Sequence, residues 1–499
     1  MSWSHGYVAD VPYTASYHAY QAPSQLGLAC LLNRVHAPLP ARRDDLTYVE
    51  VGCGRGRTAL CLAASNPGWR VIGIDLLPAH VAEAREIATE AGIGNVEFIE
   101  ADLASFDASL LPEIDVASAH GFWSWVADPV RDGLVRILAA RLRAGGLLHL
   151  SYNALPAWQE AIGLQRLLIE AGDRIGGRSD HRAAGALELV QALRSAGAAH
   201  LNTPYVSGLI DRARGLAPGY VSHEYMNRSW RPCFHADVLD ALAPARLDHV
   251  GSAVLLENFP ELVLTDAQRA ICDRIDEPRL RELTRDICMQ RALRDDVYVR
   301  GARRMSREAQ EQALAELTVC LTRLPDEIVY ALKTASGTAT LTPEFFRPVV
   351  QALGEGPRRV GDLLSIAAAA GQGQGGVGRA IDLVGMLVGS GQAMVVTRPE
   401  ASVDSAGSAA GRLNRAIAGR ITADEPGPSG ETGQCGLAST RLGAGLACAP
   451  DALVAAVQAA GPPGDAAPPV DARLPTWRHA GIPGIPPEAD EVLQMRSIL

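Results

Sequence analysis

Three glycines stand at alternate positions in the stretch TYVEVGCGRGRTALCLAA, residues 47–64: Gly52, Gly54 and Gly56. Glycines so placed let the chain take left-handed turns or let a ligand come close to the backbone. A dinucleotide fingerprint needs its third glycine three positions after the second, and Arg57 occupies that position here. The run also opens with an acidic residue, Glu50. A carboxylate beside the ligand repels a pyrophosphate but can pair with an ammonium group. S-adenosylmethionine (SAM) carries an ammonium and a sulfonium and has no phosphate, so it suits this charge pattern. The competing reading is a turn that needs glycine for its own geometry.

Two further acidic residues favour the ligand. Asp75 ends the next strand pattern, where a carboxylate can accept hydrogen bonds from both ribose hydroxyls. Asp102, in EADL, follows the third strand pattern and is placed to receive an adenine amino group. Alone, either aspartate reads equally as a turn former or a helix cap. Cys53, Leu76, Leu103 and His120 complete the expected cofactor contacts.

The reacting methyl is expected near His120, Trp123, Tyr152 and Asn153, at the ends of the fourth and fifth strand patterns. His120 reads as a cofactor contact or as a base. Phe122, Trp123 and Trp125 read as an aromatic wall, with core anchoring as the alternative for the two tryptophans. Tyr7, Tyr13 and Tyr17 precede the first strand and read as a lid or as a surface arm. In YVSHEYMN, His223, Glu224 and Tyr225 could line an acceptor entrance or form a polar joint between domains. No metal site is expected there, because the second histidine of a zinc-protease helix is replaced by Asn227. GQGQGGVGRA, 371–380, looks like a phosphate loop, yet no strand pattern feeds it and no Lys-Ser/Thr follows, so it reads as a turn.

These residues need a sheet to hold them. Strand patterns at 47–52, 70–75, 96–102, 113–120 and 146–153 alternate with amphipathic helical segments such as 78–92, which opens with proline and closes with glycine. Five strands with intervening helices predict a doubly wound, Rossmann-like α/β sheet, whose ligands bind beyond the strands' carboxyl ends. From about Ala157 to Arg323 the pattern turns helical, including RLRELTRDICMQRALR. Helix, helix and a short apolar strand near 342–396 predict a winged-helix-like module. Beyond Thr397, PEASVDSAGSAAG and AAGPPGDAAPPVDA read as flexible loops or linkers. The expected domains are 1–156, 157–323 and 324–499.

Composition limits the partners. With 46 basic against 56 acidic residues the net charge is -10, which argues against a broad basic surface for nucleic acid. Lys333 is the sole lysine, a bias that fits a GC-rich bacterial genome. The nine cysteines form no CxxC pair and read as reduced thiols. Neither a secretory h-region nor an apolar run long enough to span a membrane is visible, so a cytoplasmic protein is expected.

From EVGCGRG through IGID, EADL and HGFWSWV, residues 46–153 resemble a class I SAM-dependent methyltransferase domain. GIDLLPAHVAEAR, HGFWSWVADPVRDGL, LSYNALPAW and GYVSHEYMNRSWRPCFHADV resemble, more narrowly, methyltransferases that carry a methyltransferase regulatory domain. The resemblance implies a SAM-binding domain, a helical regulatory domain and an accessory C-terminal part. It implies methyl transfer to a nucleophile, with a protein lysine as the acceptor, since the group includes bacterial protein lysine methyltransferases. The alternatives are a small-molecule acceptor and a SAM-binding scaffold without turnover. A homodimer is compatible with this reading.

Overall fold

The computed structural model describes residues 3–36, 44–370, 379–402, 404–423 and 434–459. Its centre is a seven-stranded sheet of β1 (Thr47–Val51), β2 (Arg70–Asp75), β3 (Val96–Glu100), β4 (Ile114–Ala119), β5 (Leu142–Asn153), β6 (Leu247–Ser252) and β7 (Leu293–Arg300). The order across the sheet is β3-β2-β1-β4-β5-β7-β6. Strands β1 to β5 pair in parallel, and β7 lies antiparallel between β5 and β6.

The strand sequences explain the sheet. Runs such as VIGI and DVASA are buried on both faces, as parallel strands between two helical layers must be. On one face Val49, Val51, Ile72, Ile74, Leu148 and Leu150 form a continuous core. On the other, Tyr48, Val71, Val116, Leu147, Val297 and Val299 join the core that runs into the C-terminal part. Register sets Glu50 beside Ser118, and Ser118 beside His149, in one row across β1, β4 and β5.

The sequence reading closes the sheet with five strands, and the structure adds β6 and β7 from the stretch expected to be helical. The helix over Pro278–Met289 stops at Gln290, which takes a left-handed conformation, and β7 begins at Leu293. The charged pair Asp295-Asp296 hides this strand from a hydrophobic pattern, because both side chains are buried with polar partners. The helices over Ala161–Gly172, Ser179–Ser195, Pro204–Arg214 and Pro218–Tyr225 are therefore an insertion between β5 and β6. They keep their own core of Leu164, Leu168, Val190, Leu209, Val221 and Trp230, to which Val8 and Val11 of the N-terminal segment contribute.

After β7, helices over Arg307–Ala315, Pro343–Gly354, Val360–Ala369 and Ala380–Gly389 surround a three-stranded antiparallel sheet of 358–359, 318–321 and 393–396. The segment beyond Thr397 is not all linker. The helix Ala409–Ala423 and the hairpin Cys435–Ser439 with Ala444–Cys448 pack on the helix Arg57–Ser65. Gly436 and Gly445 are required there, since a Cβ on either would lie within 2.5 Å of Tyr17 or Cys61. Ser65 Oγ donates to Ala444 O at 3.2 Å and Asn66 Nδ2 to Gly443 O at 2.8 Å. Most of GQGQGGVGRA and of AAGPPGDAAPPVDA lies outside the described residues. Among the described residues, no helix is long and apolar enough to cross a membrane.

Candidate active site

The carboxyl ends of β1, β2, β3 and β4 deliver Gly52–Gly56, Asp75, Asp102 and His120 to one edge of the sheet. Gly52, Gly54 and Gly56 all have positive φ, at 69°, 52° and 75°. Their surroundings differ. A Cβ on Gly52 would meet the Phe122 ring at 2.8 Å, and one on Gly56 would meet Ala84 and Phe98 at 2.8 Å. A Cβ on Gly54 would meet nothing within 4 Å. Two glycines are thus needed for packing, while the middle one borders open space that a ligand can fill. Gly56→Ala is expected to cost about 1–3 kcal/mol through overpacking, read as a lower urea midpoint. Gly54→Ala carries only the left-handed strain, about 1–2 kcal/mol, so its urea midpoint should fall less.

Asp75 stitches this turn together. Gly54 N–H donates to its Oδ2 at 2.8 Å and Leu77 N–H to its Oδ1 at 2.9 Å, with His80 Nδ1 3.4 Å from Oδ1. Asp102 accepts from Ala104 N–H at 2.9 Å and from His5 Nε2–H at 2.8 Å. Each carboxylate oxygen offers two acceptor sites, so both aspartates keep capacity for ligand hydroxyl and amino groups. Leu76 is half-buried, and Cys53 and Leu103 are buried. Cys53 is an inert thiol, its pKa raised well above the usual range by burial, with Asp75 and Glu50 adding to the rise.

Glu50 is buried at the end of β1, and its Oε2 has no hydrogen-bond partner among the described residues. Burial pushes its carboxyl up to about 8, against the opposing influence of Gln21 and the Ala59 N–H. Uncompensated burial of a carboxylate is costly, and a cationic ligand beside it removes the cost.

The N-terminal segment straps across this edge. Besides the His5–Asp102 bond, Tyr13 N–H donates to His80 Nε2 at 3.2 Å and His18 N–H to Thr58 Oγ1 at 3.1 Å. The strap is tied to the helical insertion as well: Val8 N–H donates to Asn227 Oδ1 at 2.8 Å and His223 Nε2–H to Val11 O at 2.7 Å. His223 therefore joins the strap to the insertion, and burial pushes its pKa down to about 4. The Tyr7 and Tyr13 rings lie 5.6 and 5.1 Å from His223, and Tyr13 stacks on Tyr220 at 6.0 Å. Tyr17 departs from the other two tyrosines. It is fully buried and bonds Gly445 of the C-terminal hairpin through both donor and acceptor, each at 3.0 Å.

The residues expected at the reacting methyl divide. His120 stands at the edge against His18, with ring centroids 4.0 Å apart and the planes tilted by 36°. Asn153 is buried, with an unpartnered Nδ2. Trp123 and Tyr152 require correction. Trp123 lies in the core below the sheet with the Arg131 guanidinium 5.8 Å from its ring, so it anchors packing. Tyr152 sits on the face opposite His149, and its hydroxyl donates to buried Asp296 at 2.7 Å. Side chains along a strand alternate in direction, so Tyr152 and Asn153 cannot face the same pocket. Sequence reading missed His5, His18, Gln21, His80 and Asp295. No local motif marks any of them, because the contacts that bring them here span distant parts of the chain.

Known proteins share this architecture. Residues 49–146 match a family model described as a methyltransferase domain, and residues 217–300 match one described as a predicted methyltransferase regulatory domain. The second match spans the helix Pro218–Tyr225 and both added strands, β6 and β7. An uncharacterized protein of Synechocystis sp. is 29% identical over 364 residues, covering 73% of this chain and 72% of its own. One from Rickettsia prowazekii is 22% identical, and this chain spans 60% of its length. In fold, the chain is similar to PKMT2 from Rickettsia typhi, at TM-score 0.63 and 18% identity over 88% of this chain and 87% of that one. Sheet order, glycine turn and family matches together define a class I methyltransferase. The protein is a SAM-dependent methyltransferase that also carries a methyltransferase regulatory domain. Two features fit that cofactor: the open space at Gly54, and the unpartnered buried carboxylate oxygen of Glu50.

Proposed function

We propose that the enzyme methylates a lysine side chain of a protein. The observation that carries this reading is the half-buried cluster of Tyr7, Tyr13 and Tyr220 with Glu224, next to Asp75. Aromatic faces and a carboxylate together favour an alkylammonium group. The fold likeness to PKMT2, whose name abbreviates protein lysine methyltransferase, supports the same acceptor. The acidic net charge of -10 suits an amine-bearing partner.

In this reading Glu50, Gly52, Gly54, Asp75 and Asp102 hold SAM. Glu50 faces its ammonium, the glycine turn its main chain, Asp75 the ribose and Asp102 the adenine. SAM supplies a methyl carbon on a sulfonium, which an unprotonated amine displaces in line, leaving S-adenosylhomocysteine. The chain's own task is to align the amine, remove its proton and keep water out. Burial pushes the Glu224 carboxyl up to about 7, so it can take that proton near neutral pH. The strap 3–21 covers the site, with Tyr7 and Tyr13 facing the acceptor.

The Glu50 assignment predicts a pH dependence. A carboxyl held near 8 in the free enzyme must lose its proton to meet the ammonium of SAM. Below 8 that loss opposes binding, so affinity should rise with pH towards 8, by up to about tenfold per unit. Glu50→Gln should abolish the rise. Calorimetry in two buffers of different ionisation enthalpy would report the released proton directly.

The acceptor is tested with tritiated-methyl SAM and a bacterial extract, followed by mass spectrometry of the labelled fraction. Label in ε-N-methyl-lysine of a protein is the expected result. Label confined to small molecules would replace the protein acceptor with a small-molecule one.

A further inference from the structure

We infer that His120, His149 and Asp295 form a binding site for a divalent first-row transition-metal ion, next to the cofactor edge of the sheet. Their ligand atoms, two imidazole nitrogens and a carboxylate oxygen, all lie within 4.8 Å of one another. His149 Nε2 is 3.2 Å from Asp295 Oδ1, and His120 Nδ1 is 3.3 Å from the same oxygen. Ligand atoms at about 2.0–2.1 Å from a tetrahedral zinc stand about 3.3 Å apart, so both spacings are those of a metal's first sphere.

Proton accounting supports a cation here. Gln21 Oε1 accepts from the Ser118 hydroxyl at 2.7 Å and from the Tyr48 hydroxyl at 3.4 Å. Ser118 has one proton, and this bond uses it. Its Oγ lies 3.0 Å from His149 Nδ1 and can only accept there, which places the ring proton on Nδ1. A neutral His149 therefore turns the lone pair of Nε2 towards the carboxylate oxygen. His120 Nδ1 is buried and, besides Asp295 Oδ1 at 3.3 Å, meets no hydrogen-bond partner among the described residues. Three electron-pair donors converge on one point, which a bound cation stabilises. Ser118 fixes the tautomer and orientation of His149, as the outer partner of a metal-bound histidine does.

A second cluster provides the contrast. His235 and His249 flank Asp296 on the opposite face of β7 at 3.3 and 3.4 Å. There Arg294 Nε donates to both oxygens of Asp296, at 3.1 and 2.9 Å, and Tyr152 and Tyr298 donate as well. That aspartate already has its cation. Among the described residues, the groups against the Asp295 carboxylate are imidazole nitrogens alone. Two imidazoles and a carboxylate suit zinc, iron(II), cobalt(II) or manganese(II), and three protein ligands leave a position for an outside donor. Gly121, beside His120, has nothing within 4 Å of where its Cβ would be, so such a donor has room to enter.

The test uses untagged full-length protein, stripped with chelator and titrated with cobalt(II) in the visible range. The expected result is one equivalent bound, with ligand-field bands and no thiolate charge-transfer band. His120→Asn and Asp295→Asn should each weaken binding by about tenfold or more, and zinc(II) should displace the cobalt. Exposed His181, changed to asparagine, should leave binding as it was. His120 is partly exposed, so His120→Asn decides the matter even if Asp295→Asn fails to fold. Cobalt binding of equal strength in wild type and His120→Asn, or none in either, would overturn the site.

Discussion

Asp75→Ala is expected to lower SAM affinity by about 100-fold or more, with methyl transfer falling in parallel. Two charge-assisted hydrogen bonds to a ribose contribute about 3 kcal/mol together at the low end of their range, which corresponds to that factor. The side chain has a second task, since it accepts from Gly54 N–H and Leu77 N–H at 2.8 and 2.9 Å. Removing it leaves those donors unpaired and loosens the turn that borders the open space at Gly54. The fold should still survive, because the loss is confined to the sheet edge. Asp75→Asn separates the two tasks: it retains one acceptor oxygen for the backbone and loses the charge. Calorimetric titration of SAM, alongside thermal melts, checks both variants. Unchanged SAM affinity in Asp75→Ala would remove Asp75 from the site.

Arg294→Met is expected to destabilise the protein by about 3–5 kcal/mol, the cost of leaving buried charges without their partner. Arg294 is almost fully buried. Its guanidinium donates to both oxygens of Asp286 at 2.6 and 2.8 Å, to Glu282 at 2.8 Å and to both oxygens of Asp296. These carboxylates belong to the helix Pro278–Met289 and to β7, so the one side chain docks that helix on the sheet. Arg291, 3.2 Å from Asp286, cannot replace it at Asp296. A loss of this size is a large fraction of the 5–15 kcal/mol typical of a folded domain. Urea denaturation followed by circular dichroism measures it, and a midpoint within error of wild type would contradict the docking role.

What could be read from the sequence was local. The glycine run, the strand-ending Asp75 and Asp102, and the proline that opens the helix Pro78–Glu90 all stand close to their structural consequences. Strand β7 escapes the hydrophobic pattern because RDDVYVR buries two aspartates, and buried charge reads as surface. Tyr152 was misplaced although alternation along β5 separates Leu148, Leu150 and Tyr152 from His149, Ser151 and Asn153. The hairpin Cys435–Cys448 carries no strand signal in the sequence because its small residues have little hydrophobic contrast. Their smallness is what lets the strands lie against Tyr17 and Cys61. The strap residues His5 and Tyr13 reach Asp102 and His80 across 97 and 67 residues of helices and strands, which no spacing rule encodes.

SAM, and not a dinucleotide, is expected to fill the edge formed by Glu50, Gly54, Asp75 and Asp102. The most direct measurement is calorimetric titration of the full chain with SAM and, separately, with NAD. One-to-one SAM binding that NAD does not displace is the expected result, because Arg57 stands where a dinucleotide turn needs its third glycine and a buried acid at Glu50 can pair with an ammonium but not with a pyrophosphate. NAD binding that excludes SAM, or no SAM binding at all, would contradict it.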